Sequence, residues 1–142
     1  MTRASIIAIG SEMLGPSRVD TNSLKITSAL EDFGVTLVRK SVIGDRLEDL
    51  VDEIRHCIGR SDILVISGGL GPTEDDLTRD ALAKAFHLKM ELDPSIVDRI
   101  EKRFAARGYK MPEVNKRQAM VFTGQTTLTN ERGTAPGFHL RV

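Results

Sequence analysis

The densest chemistry in the chain is Ser67-Gly68-Gly69-Leu70-Gly71-Pro72-Thr73-Glu74-Asp75-Asp76-Leu77-Thr78, which follows an apolar run. Glycines at this junction let the backbone approach a ligand closely and take positive φ. A helix start just beyond them offers free N–H groups and the positive end of its dipole. That combination suits a phosphate or pyrophosphate. No Gly-Lys-Ser/Thr follows, and the spacing is not that of a dinucleotide fingerprint. A tight strand-to-helix turn that needs glycine for geometry alone explains the same residues. The carboxylates of Glu74, Asp75 and Asp76 would repel a phosphate unless a divalent cation bridged them to it. Thr73-x-x-Asp76 also fits a capping box, the more economical reading of Asp76 from pattern alone.

A second segment, Gly10-Ser11-Glu12-Met13-Leu14-Gly15 and then Arg18-Val19-Asp20-Thr21-Asn22, brings Glu12, Asp20 and Asn22 together, although Asp20 or Thr21 serves equally as a helix N-cap. A third, Gly133-Thr134-Ala135-Pro136-Gly137, reads as a hairpin turn or a binding loop. His56 and His139 show no ligand spacing, and His87 follows a helix end. Cys57 falls on the core side of a helix with no activating base, so a nucleophilic role is not expected. The basic cluster from Arg99 to Arg107 reads as a solvated helix face.

Strand and helix patterns alternate around these segments. Ser5–Ile9 is a short β-branched run. A helix with Ile26, Ala29, Leu30 and Phe33 on one face stops at Gly34, and Val35–Ile43 reads as a strand. Leu47, Leu50, Val51, Ile54, Cys57 and Ile58 form one helical stripe, with Asp45 and Glu48 as its capping box. Asp62–Ser67 has the continuous apolar character of a strand buried on both faces. A helix is expected from about Thr73 to Phe86, a short strand at Lys89–Leu92, and a helix opened by Asp93-Pro94 that runs to about Arg107. Thr126–Thr129 and Phe138–Val142 suggest a hairpin. The order implies right-handed crossovers and a mainly parallel sheet, with ligands beyond the carboxyl ends of its strands. Gly10–Asn22 and Gly68–Asp80 then share one rim.

Composition narrows the function. The 142 residues suit one domain, and 20 basic residues balance 20 acidic ones, which argues against direct nucleic-acid contact. No run is long enough to span a membrane, and a single cysteine excludes an internal disulfide. The expectation is a cytoplasmic α/β domain.

Taken in order, IIAIGSEML with VDTNS, VIGD, SGGLGPTEDDLTRDALA, MPEVNKRQAM and GTAPGF resemble the CinA family (competence/damage-inducible protein) in its N-terminal molybdopterin-binding-like domain. The resemblance implies a three-layer α/β/α sandwich of the MoaB/MogA type over residues 1–142. It also implies truncation on the C-terminal side, since neither the family's L-P-G-V-P-x-E-M segment nor its deamidase domain is present in these residues. The implied activity is metal-dependent hydrolysis of ADP-ribose to AMP and ribose 5-phosphate. Asp76 and Thr78 match the D-x-T positions beside the phosphate and metal, and Asp20 falls in the other acidic loop. On this reading Asp76, Asp20 and Glu12 are catalytic, and Asp76 and Asp20 hold a divalent ion such as Mg, Mn or Co. Gly10, Ser11, Asn22, Ser67, Gly68, Gly69, Gly71, Pro72, Thr73, Thr78, Gly133, Thr134 and Ala135 bind substrate. Two alternatives share the fold: a molybdopterin-binding or adenylyl-transferring domain, and a non-catalytic nucleotide-binding or assembly module. A homodimer or other homo-oligomer is the expected assembly.

Overall fold

The computed structural model describes residues 1–142. Its centre is a three-stranded parallel sheet in the order β2-β1-β3, formed by β1 (Arg3–Ile9), β2 (Thr36–Ile43) and β3 (Ile63–Ser67). Both neighbours pair with β1, so it carries the sheet's buried middle, and every residue from Ala4 to Ile9 is buried. The connections through α1 (Thr21–Asp32) and α2 (Leu47–Ile58) step across the sheet in opposite directions. Right-handed crossovers therefore place these two helices on opposite faces. Two helices follow: α3 (Thr78–Phe86), which packs on α2, and α4 (Pro94–Ala105). Two small antiparallel pairs complete the fold, β4 (Met90–Leu92) with β5 (Met120–Phe122) and β6 (Thr126–Leu128) with β7 (Gly137–His139). This is the mixed α/β architecture expected from the strand–helix alternation. No helix is long and apolar enough to cross a membrane.

The core follows the helical stripe read from the sequence. Leu50, Val51, Ile54 and Cys57 of α2 pack with Ile7 and Ile9 of β1, Ala81 and Leu82 of α3, and Phe122. A second cluster joins Ile96 and Ile100 of α4 to Met111, Ala119 and Val121. Phe138 packs against both and meets Phe122 edge-on, with ring centroids 4.9 Å apart. That contact fastens the β6–β7 pair to the rest of the molecule.

Three local expectations are corrected, and one element is new. β3 lies at the sheet edge, with Ile63 exposed and Leu64–Ser67 half-buried, because both crossovers return beside β1 and leave it the central place. The third helix starts at Thr78, not Thr73, because the Thr78 amide turns back to the Gly69 carbonyl (3.1 Å) and residues 70–77 loop out between them. α2 has no capping box. Its N-cap is Arg46, and the Asp45 carboxylate instead accepts the Ser11 amide at 3.2 Å. The segment after Gly108 contains a 3-10 helix, Glu113–Ala119, that no apolar periodicity announced.

Leu50, 1% exposed, and Leu24, 61% exposed, give a direct test of this core. Leu50→Ala is expected to cost about 2–5 kcal/mol in urea denaturation, and Leu24→Ala within about 0.5 kcal/mol.

A candidate anion-binding rim

β1 and β3 end side by side, with Ala8 opposite Ser67. The chain leaves β3 through Gly68 (φ +102°) and Gly69 (φ +67°). A Cβ on Gly68 would collide with the Ile9 carbonyl of β1, and one on Gly69 would collide with the Thr78 hydroxyl. Here the glycines are needed for both conformation and close approach.

The loop's carbonyls are tied one after another to α3. The Thr78 hydroxyl donates to Gly68 O at 2.7 Å, and the Thr78 amide donates to Gly69 O at 3.1 Å. The Arg79 guanidinium donates to Leu70 O at 2.8 Å and to Gly71 O at 2.5 Å. In a trans peptide the C=O and the following N–H point in opposite directions. Drawing in the carbonyls of Gly68 and Gly69 therefore turns out the N–H groups of Gly69 and Leu70. Neither of these amides, nor that of Gly68, donates to another group of the chain, whereas the Gly71 amide faces the Asp76 carboxylate. Pro72, which has no N–H, ends the run. Successive unpaired amides facing the same way form an anion-binding concavity.

The acidic residues behind the loop take separate roles. Asp76 Oδ2 accepts from the Thr73 amide (2.9 Å) and hydroxyl (2.7 Å), while the Asp76 amide donates to Thr73 O at 3.1 Å. This is the reciprocal bonding of a capping box, but it closes a loop turn and not a helix start. Burial would raise the Asp76 pKa. The Thr73 bonds, the Gly71 amide and the nearby Arg79 charge outweigh it and hold the carboxyl below its ordinary 3.8. Glu74 and Asp75 are exposed.

A cavity of about 230 Å³ adjoins the loop, lined by Glu12, Asp20, Asn22, Ser67 and Gly68 among others. The two rim segments expected from the topology therefore do meet. Asp20 caps α1 through Oδ1, which accepts the Ser23 amide at 2.9 Å. Its Oδ2 is buried with no hydrogen-bond donor, and Lys40 Nζ lies 4.0 Å away. Burial raises this pKa too, but the Ser23 bonds and the Lys40 charge leave it below 3.8. The exposed Glu12 carboxylate folds back over Gly10. No three His, Cys, Asp or Glu side chains converge on one point.

Other expected site residues lie elsewhere. Ser11 is engaged by Asp45, whose amide donates to the Ser11 hydroxyl at 3.0 Å, so it joins the β1 and β2 ends without lining the cavity. Gly133, Thr134 and Ala135 do not reach the cavity either. Asn130 holds them in a local turn, accepting from the Arg132 and Gly133 amides and donating to Ala135 O at 2.8 Å. Cys57 is buried, and burial, with Glu53 beside it, pushes its thiol pKa up, as befits an inert core residue. A larger space of about 560 Å³ runs along the outer edge of β3, but most of its lining is apolar and it gathers no carboxylate cluster. The carboxylates of Glu12 and Asp20 gather at the smaller one.

Two residues that motif reading passed over hold the loop in place. Arg79 is 2% exposed. Arg117, from the 3-10 helix, donates to Thr73 O at 2.7 Å and to the Asp80 carboxylate at 2.6 Å. Only their proximity to the glycine run, and a charged residue on the inner face of α3, could have flagged them.

With this geometry in view, likeness to known proteins is informative. Residues 5–142 match the family described as "Probable molybdopterin binding domain". A CinA-like protein of Solibacter usitatus is 55% identical over 94% of the chain. The chain spans about a third of the length of the curated relatives it matches. The crystal structure of the protein CinA from Thermoplasma acidophilum superposes with a TM-score of 0.86 at 31% identity, covering 96% of this chain and 80% of that one. MoaB from Thermus thermophilus, a molybdopterin biosynthesis enzyme, shares the fold at TM-score 0.58 and 18% identity, covering 86% of this chain and 79% of that one.

Two outcomes follow from the rim geometry. Gly69→Val forces a branched side chain into positive φ against Thr78, and should cost about 1–3 kcal/mol in urea denaturation while displacing the loop. The second concerns pH. Asp20 and Asp76 titrate below 3.8, so the folded state binds these protons less readily than the unfolded chain. Their stabilisation is complete above about pH 5 and is lost as pH falls through the depressed values. The urea midpoint of Asp76→Asn should fall less steeply below pH 4 than that of the wild type. An equal slope would remove the assigned coupling.

Proposed function

The chain belongs to the molybdopterin-binding domain family, within its CinA-like members, and from that premise we propose that its rim binds the diphosphate of ADP-ribose and hydrolyses it with a divalent cation. The observation that carries the reading is the pair of outward amides at Gly69 and Leu70 beside the carboxylate-lined cavity. Resemblance to the CinA family supplies the substrate.

The loop amides would hold the non-bridging oxygens of the diphosphate and accommodate the charge that builds as the phosphorus is attacked. Asp20 Oδ2, buried and without a donor, is the oxygen ligand the cavity offers for Mg, Mn or Co, while Asp76 is engaged by Thr73 and the Gly71 amide and does not line the cavity. One carboxylate, with the remaining positions filled by phosphate oxygens and water, suits such an ion. When bound it polarises a phosphoryl oxygen and lowers the pKa of the attacking water. Glu12, exposed at the cavity, is placed to accept the proton of that water. Water oxygen bonds to one phosphorus, the bridging P–O bond breaks, and AMP and ribose 5-phosphate leave.

A second reading, pterin binding, is favoured by the family description and the fold shared with MoaB. Calorimetry with ADP-ribose, molybdopterin and AMP, with and without Mg or Mn, separates the two. Cation-dependent binding and turnover of ADP-ribose is the expected result. Tight cation-independent binding of molybdopterin alone would replace it, and binding of ADP-ribose without turnover would leave a nucleotide-binding module. Asp20→Asn retains a good N-cap, so it should fold normally yet lose roughly 10–100-fold in cation-dependent turnover.

A further inference from the structure

Asp20 Oδ2 is the buried ligand oxygen of the cavity, yet two positive features already face it. Asp20 caps α1, so the positive end of that helix dipole lies against its carboxylate. Lys40 Nζ stands 4.0 Å from Oδ2, too far to donate a hydrogen bond but close enough to offset its charge. The sheet puts the lysine there. In β2, Lys40 pairs with Ile6 and Ser41 with Ile7, whose side chain packs on α2. Neighbouring side chains on a strand alternate, so Lys40 takes the opposite face, where α1 lies. Charge balances in the rest of the cavity too. Exposed Glu12 is matched by exposed Arg18, which lines the same cavity and pairs with no carboxylate. Glu12 and Asp20 are thus cancelled by Arg18 and Lys40, and the empty rim offers a cation no net negative charge.

We infer that Lys40 makes the rim take its divalent cation together with a diphosphate, and not as the free ion. The inference rests on the anion-binding reading above. A lone cation would shed part of its water shell for one carboxylate oxygen whose charge is already offset. A diphosphate supplies further oxygen ligands and the missing negative charge, and the Gly69 and Leu70 amides are free to receive it. Lys40 opposes the first event and favours the second. Calorimetry tests this with Mn alone, inorganic pyrophosphate alone and the equimolar Mn–pyrophosphate complex as probes. Wild type, Lys40→Met, Lys40→Arg and the double variant Lys40→Met/Asp20→Asn are compared, with thermal unfolding measured alongside. Wild type should bind Mn alone at least about a hundredfold more weakly than the complex. Lys40→Met should bind Mn alone roughly tenfold more tightly than wild type does. Lys40→Arg, which keeps the charge, should retain the wild-type weakness, and the double variant should lose the gain because it runs through Asp20.

Mn alone binding to wild type as tightly as the complex would overturn the inference. So would an unchanged Mn affinity in Lys40→Met, whatever its melting temperature, since Lys40 would then be merely structural. Equal tightening in Lys40→Arg would also overturn it, because charge would not be the cause. Lys40→Gln carries the decision if Lys40→Met does not fold. Failure of the functional reading looks different: neither pyrophosphate nor its Mn complex binds wild type, while Lys40→Met still gains Mn affinity through Asp20. In that case the diphosphate falls and the lysine's control of Asp20 stands.

Discussion

The hydroxyl and amide of Thr78, donating to the Gly68 and Gly69 carbonyls, tie the start of α3 to the end of β3, and the rim is arranged around that tie. It requires the backbone at Gly68 to pass so close to Ile9 of the central strand that no side chain fits. It also fixes peptide planes, and with them the outward amides. Arg79 holds the next two carbonyls, and Asp76 takes the Gly71 and Thr73 amides. The start of the loop is therefore held by its carbonyls, and the Gly69 and Leu70 N–H groups are left for something else. A loop stabilised through amide-to-carbonyl bonds of its own would have no such surplus.

The electrostatics of the rim combine two signs. The amides and the buried Arg79 guanidinium favour an anion, whereas Asp20 and Glu12 line the adjoining cavity. Asp20 stays ionised well into acid, with one oxygen capping α1 and the other lacking a donor. A ligand carrying both phosphates and donor hydroxyls, bridged by a cation, satisfies both halves together. A bare phosphate satisfies one.

Much of this was readable from residue types. The stripe through Leu50, Val51, Ile54 and Cys57 determines one face of α2, and Asp20 and Asp93 announce their helices as N-caps. The rim was legible because strand, glycines and acidic loop follow a topology that brings strand ends together. The failures were of another kind. Thr73-x-x-Asp76 and Asp45-x-x-Glu48 have capping spacing, yet Asp76 closes a loop turn and Asp45 binds Ser11, choices made by contacts distant in sequence. The edge position of β3 depends on crossover order, which its apolar composition does not encode. Gly133–Ala135 looked like a binding loop but serves the β6–β7 connection, because the neighbouring Asn130 satisfies its backbone. Arg79 was invisible because nothing local distinguishes a buried arginine from a solvated one.

The central claim is that the outward amides after β3 receive a diphosphate. A crystal structure of the chain grown with ADP-ribose and Mn tests it most directly. The account places phosphate oxygens about 3 Å from the nitrogens of Gly69 and Leu70, with anomalous metal density between those oxygens and Asp20. Phosphates bound away from these amides, or metal density remote from Asp20, would contradict it.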